Sequence, residues 1–559
     1  MNNFIPLIIV CCSIVIAVFC KRLTTKFVKT FWFMLRKFSH SVVGGVLFFA
    51  ILTFVMGLIF GLCIHFPYPI VHDEYAYLLS ADTFASGRLT NPTHPLWEHF
   101  ESFHIIQQPS YQSKYPPAQG ASLAVGQVLT GYPIVGSWIA LAAANGALFW
   151  MLCGWVPRRW AVYGGFLATL NTSFLIAWGQ CYWGGQVALL GGALLFGAYP
   201  RLKKKPRIST SAILALGLAL LANSRPYEGL LAAVPIAIAL LCWLFGKQKL
   251  GWSVAVSRII VPILVILIPT FLWMGYYNYR VTGNALTLPY KVWVDQYYSR
   301  TFDGLMFSAN KETSRKQPVR IIYSYDLDHN QLEPKFAIQS KPFEVELSTK
   351  LLRFTFFYTG SSVVILLCLF GSCALFRNRE NLFVLLISLL VITSTVSQGT
   401  AGHPHYIAPI GCLLILLQIQ CLRYVCQWKR NWRLVGQMLP VTVLILTTLT
   451  TITSFANYKE PVPGVSRDSW VLVKQQISKK LDSVEGKHLI LVKYNRDHIH
   501  HYEWVYNGSD IDNSKVVWAR ILEPEKNTKL LNYFKDRSVW VVEADNPKIK
   551  LLPYRRKQK

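Results

Sequence analysis

The chain has 559 residues, of which 53% are hydrophobic and 14% aromatic against 15% charged, and its formal net charge is +28. Apolar runs that repeatedly reach the roughly 20 residues needed to cross a bilayer exclude a chain that is soluble throughout. The positive charge does not call for nucleic acid, because the basic residues collect in alternate loops between the apolar runs, where the positive-inside rule puts them.

The expected fold is mainly α: a polytopic bundle of about twelve transmembrane helices with a small extracytoplasmic α/β domain at the C-terminal end. Spans are predicted near 4–20, 41–66, 133–155, 160–178, 184–200, 209–223, 228–246, 254–276, 352–376, 381–397, 404–422 and 434–455. The basic loops run from Lys21 to Lys37, through Arg158 and Arg159, Arg201 to Arg207, Lys247 to Arg258, Arg377 and Arg379, and Arg423 to Arg433, with Glu380 their one acid. That alternation places both termini, Asp73, the loop at 277–350 and the tail outside the cytoplasm. Three divisions follow: 1–40, an extra N-terminal span and basic cytoplasmic loop; 41–456, a transmembrane catalytic module with external loops 67–132 and 277–350; and 457–559, the extracytoplasmic domain. The first apolar run has no basic flank before it and basic residues after it, so it reads as a span and not as a cleaved signal peptide. All 12 cysteines lie in or beside apolar segments, so the outer parts are expected to fold without disulfides.

The first external loop opens on Val71-His72-Asp73-Glu74-Tyr75. Two adjacent carboxylates just past an apolar run sit at a membrane surface, where ionisable groups are costly and usually functional. A short helix is expected from Glu74 to Ser86, closed by Gly87, with Asp73 as its N-cap. Capping backbone N–H groups is the plain alternative for that aspartate. The stretch from Ala118 to Thr130 is apolar but too short to span, so it is expected along the outer interface.

Further candidates lie at outer turns. Lys114-Tyr115-Pro116-Pro117 fixes one cation with two stiff prolines, which suits a phosphate or a lysine snorkelling to the surface. Arg225, in Asn223-Ser224-Arg225-Pro226-Tyr227-Glu228, either clamps a phosphate with its planar fork or pairs with Glu228. His403, His405 and Tyr406 occupy another tight turn as hydrogen-bond donors or as helix-end residues. Trp183 and Gln186, beside two glycines, either meet a sugar or, for the tryptophan, anchor at the interface. The loop at 277–350 is either a lid or a connector. The tail pattern predicts a helix near 467–482, strands at 488–494, 516–519 and 538–543, and a helix at 524–534. Its run from Asp497 to His501 reads as a polar surface loop, since it lacks the ligand spacing of a metal site.

A carboxylate pair with separate cations at one membrane face fits transfer of a sugar from a lipid phosphate. The base would take a proton from an acceptor hydroxyl while Arg and Lys neutralise the departing phosphate, and a single carboxylate base implies inversion at the anomeric carbon. In order and side, Asp73-Glu74, Lys114-Tyr115-Pro116-Pro117 and His405-Tyr406-Ile407-Ala408-Pro409 resemble motifs of the GT-C superfamily of integral-membrane glycosyltransferases. That superfamily includes the protein O-mannosyltransferases and the bacterial aminoarabinose transferases that modify lipid A. The resemblance covers roughly 41–455. It implies Asp73 as catalytic base, Lys114 as a contact to polyprenyl phosphate, a polyprenyl-phosphate-linked sugar as donor, and a place in the bacterial plasma (inner) membrane. His405 departs from it, standing where relatives often carry Arg, and the span at 4–20 is an addition.

The sequence therefore leads to an inverting glycosyltransferase at the outer face of the membrane, acting on a lipid, glycan or protein hydroxyl among membrane lipids and without nucleic acid. Asp73 is its base, Glu74 orients the acceptor or a divalent cation, and Lys114 and Arg225 meet phosphate. A multi-pass transporter or flippase of lipid-linked glycans is the competing class. It is expected to carry ionisable residues along a path within its spans.

Overall fold

The computed structural model describes residues 4–38, 40–246, 250–297, 300–302, 307–309, 343–360, 362–397, 403–428, 432–458, 470–495, 498, 503–546 and 548–554. It packs as two compact units, one of 1–67, 137–271 and 340–459, the other of 68–136, 272–339 and 460–559.

The first unit is helical. Each of the twelve predicted spans forms helix, yet among the described residues seven helices are long and apolar enough to cross a membrane, which makes this a multi-pass membrane protein. They are Val42–Cys63, Pro133–Trp155, Pro226–Leu244, Trp252–Thr282, Arg379–Ser397, Pro404–Val425 and Arg433–Ala456. An eighth is formed if Pro6–Phe19 and Lys21–Lys37, bent by 113°, count as one broken span. The remainder fall short for local reasons. The segment predicted at 160–178 divides into Arg158–Thr169 and a π-helical turn, Phe174–Trp178. The helix Gln186–Lys204 ends in Arg201, Lys203 and Lys204. The segment at 352–376 is spread over Phe343–Thr359, Ser362–Gly371 and Cys373–Arg377. Tight approach holds the unit together: a Cβ on Gly192 would fall 1.8 Å from the Pro409 carbonyl oxygen, so only glycine lets Gln186–Lys204 lie against the turn Pro404–Ile410.

The second unit is built on a four-stranded sheet in the order Val516–Arg520, His488–Lys493, Ser538–Glu543, Leu551–Pro553. The first three strands are parallel and the last antiparallel. A parallel strand covered on both faces reads as an unbroken apolar run, and Leu489-Ile490-Leu491-Val492 is buried along its length. Leu489, Leu491, Val517 and Ala519 share a core with Ala76, Leu79 and Tyr111 of the first loop. On the alternate register Ile490, Val492 and Trp518 share one with Ile70, Trp470 and Leu481. The tail, expected as a domain of its own, thus completes its core with the segment that follows the span Val42–Cys63. Polar ties reinforce this: the Ser509 N–H donates to Asp82 (2.7 Å), the Tyr111 hydroxyl to the Asn507 carbonyl (3.0 Å), and Arg520 Nε to the Glu101 carbonyl (2.8 Å).

Within this unit the helix Pro117–Thr130, 14 residues long and therefore too short to span, lies against His72–Ala85, where a Cβ on Gly120 would come 2.5 Å from that of Ser80. Val125, Val128, Leu129 and Tyr132 are exposed at its other side. The region read as a lid lies mostly outside the described residues. Its described part includes the helix Pro289–Tyr297, and of the histidine run only His498 is described.

Candidate active site

The helix that carries Asp73 runs from His72 to Ala85 and starts earlier than the sequence pattern suggested, with Val71 as its N-cap. The shift of register reassigns both carboxylates. Glu74 falls at the third helical position and turns back, its Oε2 accepting from the N–H groups of Ile70 (2.7 Å) and Val71 (3.2 Å), as the acid of a capping box does. Only 3% of Glu74 is exposed. Asp73 is not the N-cap, so its side chain is available for other partners. The helix closes as expected, with Gly87 at φ +74° just past its end.

A hairpin supplies those partners. Ile105–Ile106 pairs with Ser113 and Gln112, and the Lys114 N–H donates to the His104 carbonyl at 3.0 Å, which sets His104 and Lys114 on facing ends of the two strands. His104 adopts φ +63°, a left-handed conformation that costs a non-glycine residue about 1–2 kcal/mol. The turn delivers its imidazole to the carboxylate. His104 Nε2 lies 3.9 Å from Asp73 Oδ1, and His72 Nε2 lies 3.4 Å from Oδ2. The Tyr115 hydroxyl donates to Oδ1. Burial raises the Asp73 pKa, but His72, the Tyr115 hydroxyl and Lys114 outweigh it, so the carboxyl group titrates below its usual range. The Asp73 side chain is 25% exposed, so this ionised carboxylate is open to a ligand.

Lys114 is placed differently from a surface cation. It is 4% exposed, with Nζ 3.5 Å from the centre of the Trp293 ring, 4.9 Å from Tyr290 and 5.2 Å from Tyr115. Burial lowers its pKa to about 7, against the attraction of Asp73. The helix Pro289–Tyr297 thus contributes the face of an aromatic enclosure. Two residues after Asp73, Tyr75 stacks on Tyr506 at 4.0 Å, and Lys474 Nζ lies 4.5 Å from the Tyr75 ring. Burial draws Lys474 down to about 7, with Glu503 opposing.

His72, Asp73 and His104 offer ligand atoms within 4.8 Å of one another, two imidazole nitrogens and a carboxylate oxygen, a donor set that suits a divalent cation of borderline softness. No Cys or His spacing announced this set, because its members come from a helix start and a distant turn. His104, Tyr115, Tyr290 and Trp293 were likewise absent from the sequence candidates. The tyrosine was visible inside the lysine motif, whereas nothing local marks the other three.

The remaining candidates form a second cluster in the helical unit. Trp183 lies 5.8 Å from His403 and 5.0 Å from His405 between ring centres, and His405 lies 4.6 Å from Tyr406. Arg225, the N-cap of Pro226–Leu244, holds its guanidinium 4.9 Å from the centre of the Tyr406 ring. The turn Pro404–Ile410 carries the histidine and the tyrosine, and Tyr358 anchors it by donating to the Pro404 carbonyl at 2.9 Å. Gln186 is fully buried and stays outside this group: its amide donates to Ser137 Oγ (3.2 Å) and accepts from the Gly185 N–H (2.9 Å).

No protein-family model matches the chain, and no curated protein sequence does. Solved structures do resemble it. It is similar to the oligosaccharyltransferase of Archaeoglobus fulgidus in the apo form, with 11% identity and a TM-score of 0.49 over 89% of this chain and 69% of that one. A second structure, of AglB from the same organism with an inhibitory peptide and a dolichol-phosphate, gives 11% and 0.48 over 90% and 69%. ArnT from Cupriavidus metallidurans gives 12% and 0.46 over 90% and 93%. These neighbours are GT-C glycosyltransferases.

Proposed function

We propose that the protein is an inverting glycosyltransferase that moves a sugar from a polyprenyl-phosphate donor to a hydroxyl acceptor at the outer face of a bacterial inner membrane. The observation that carries this reading is Asp73: an ionised, partly exposed carboxylate held by a tyrosine hydroxyl and two imidazoles. A carboxylate so fixed is a general base for an acceptor hydroxyl, a role worth typically 10² to 10⁴ in rate. As the acceptor oxygen attacks the anomeric carbon, its proton passes to Asp73 and the bond to the donor phosphate breaks. Arg225, with His403 and His405 beside it, is suited to hold that phosphate through its fork. Trp183 offers a face for the sugar or the isoprenoid next to them. Lys114 serves through its field on Asp73 and its aromatic enclosure, while Glu74 fixes the start of the helix.

His72, Asp73 and His104 are the residues that would hold a divalent cation, which when bound would neutralise phosphate charge. The transporter reading has less support, since these groups gather at helix starts and in loops instead of lining a path through spans.

The test is transfer of labelled sugar from a panel of polyprenyl-phosphate monosaccharides to a membrane extract. Wild type transfers from at least one donor and folded Asp73→Asn does not. Equal transfer by the two would remove Asp73 from the reaction, and no transfer from any donor would return weight to transport.

A further inference from the structure

The helix Trp252–Thr282 ends in chemistry that glycosyl transfer leaves unused. Leu264, Val265, Ile268, Phe271, Leu272 and Trp273 are exposed along it, as side chains facing lipid are. Just beyond them Tyr276 and Tyr279 are 50% and 57% exposed, and Arg280 follows. Tyrosine and arginine at the end of a span are residues that settle at headgroup level.

Beside this end lies an open cleft of about 650 Å³, lined by Gly87–Pro92, Ser110, Tyr276 and Arg280. Its described walls carry two guanidinium groups and no carboxylate. Arg88 is tethered through Nη2 to Ser509 Oγ (3.0 Å) and Ser86 Oγ (3.3 Å), and Arg280 through Nη1 to the Tyr276 hydroxyl (3.0 Å). Asp510 feels the charge of Arg88, whereas Arg280 makes no ion pair among the described residues. The hydroxyl groups of the wall are already engaged, Thr90 donating to Ser110 (2.7 Å) and Ser110 to the Val281 carbonyl (2.8 Å). The donors this wall has left are guanidinium N–H, five on each arginine less those already used, and the Tyr276 hydroxyl, beside one buried acceptor, Asn91 Oδ1.

Two forked cations on a wall without acid match a phosphate, which accepts charge-assisted bonds from both. Access from a lipid-facing helix selects a phosphate that a membrane lipid carries. We propose that this cleft binds the phosphate-bearing headgroup of an anionic membrane lipid, clamped by Arg88 and Arg280 and flanked by Tyr276. The site is separate from the catalytic carboxylate: Asp73 begins the helix His72–Ala85 and the cleft follows its end, roughly 20 Å away at 1.5 Å per residue.

The full chain, purified in detergent, is titrated with phosphatidylglycerol, phosphatidylcholine and inorganic phosphate, and bound lipid is counted by native mass spectrometry. One phosphatidylglycerol is retained in preference to phosphatidylcholine, and its affinity falls about tenfold or more in the Arg88→Ala/Arg280→Ala variant. Arg280→Lys, which keeps the charge but not the fork, falls between. Should the double variant fail to fold, judged by its melting curve, Arg280→Gln carries the same test at an exposed position. Equal retention of phosphatidylcholine overturns the proposal, as does undiminished phosphatidylglycerol in the folded variants. Displacement of the lipid by inorganic phosphate at matching concentration would make the ligand a soluble phosphoester and overturn its lipid source. None of these readouts depends on glycosyl transfer.

Discussion

The two clusters of candidate residues are made of different material. Around Asp73 the side chains are a carboxylate, two imidazoles and a tyrosine hydroxyl, with a caged lysine whose charge the carboxylate feels. Around Arg225 they are one guanidinium and a surround of aromatic and imidazole rings, with Trp183, His403, His405 and Tyr406 between 4.6 and 5.8 Å of a neighbour. The first collection can hold a carboxylate ionised and ready to take up a proton. The second can grip an anion and stack a flat or greasy group, and its bases are imidazoles rather than a carboxylate. Under the proposed function the two would divide the labour, the first serving the acceptor proton and the second the donor phosphate.

Substitutions separate the two roles, the largest effect first. Asp73→Asn keeps the helix and removes the base, so kcat should fall about 10² to 10⁴-fold while the donor KM stays near its wild-type value. Arg225→Ala should act on KM instead, weakening the donor by about 10 to 10²-fold through lost charge-assisted bonds, with kcat changed little. Steady-state kinetics with a limiting donor reads both. A Gly120→Val variant drives a side chain into Ser80 and should cost about 1–3 kcal/mol of stability, seen as a lowered melting temperature. Glu74→Gln is the sharpest contrast with its neighbour: glutamine also closes a capping box, so activity and stability should change by less than about 1 kcal/mol in either measure.

Lys474 provides a pH test in the same unit. Its folded pKa, about 7, lies below the unfolded value near 10.5, so between those two values the unfolded chain binds more protons and stability rises with pH. Below pH 7 the lysine is charged in both states and the penalty of burying it is fully present. Lys474→Met should flatten the rise in melting temperature between pH 7 and 10 and leave the variant more stable than wild type at pH 6. A rise of undiminished slope would show that the lysine is not the cause.

Much of this was legible in the sequence. Apolar runs marked most helices of the first unit, because burial against lipid or protein selects the same side chains, whereas Lys21–Lys37, read as a basic loop, is a helix; short apolar runs set between helical segments marked the tail strands at 488–493, 516–520 and 538–543 within a residue. Asp73 stood out by its place after a span. Its role and that of Glu74 hinged on a helix start that local propensity fixes only to a few residues: Val71, not Asp73, is the cap, and this alone turns Glu74 inward and frees Asp73. Lys114 was visible as a cation, but its enclosure was not, since Trp293 lies far along the chain and reaches it only through tertiary packing. His104 was hidden for the same reason. The dependence of the tail on the first loop was hidden too, because a strand buried on both faces does not disclose which segment covers it.

The division of labour is tested most directly by equilibrium binding of a labelled polyprenyl-phosphate sugar to wild type, Asp73→Asn and Arg225→Ala. The account predicts that Asp73→Asn binds the donor as wild type does and that Arg225→Ala binds it about 10 to 10² times more weakly. Donor binding lost in Asp73→Asn and kept in Arg225→Ala would contradict it.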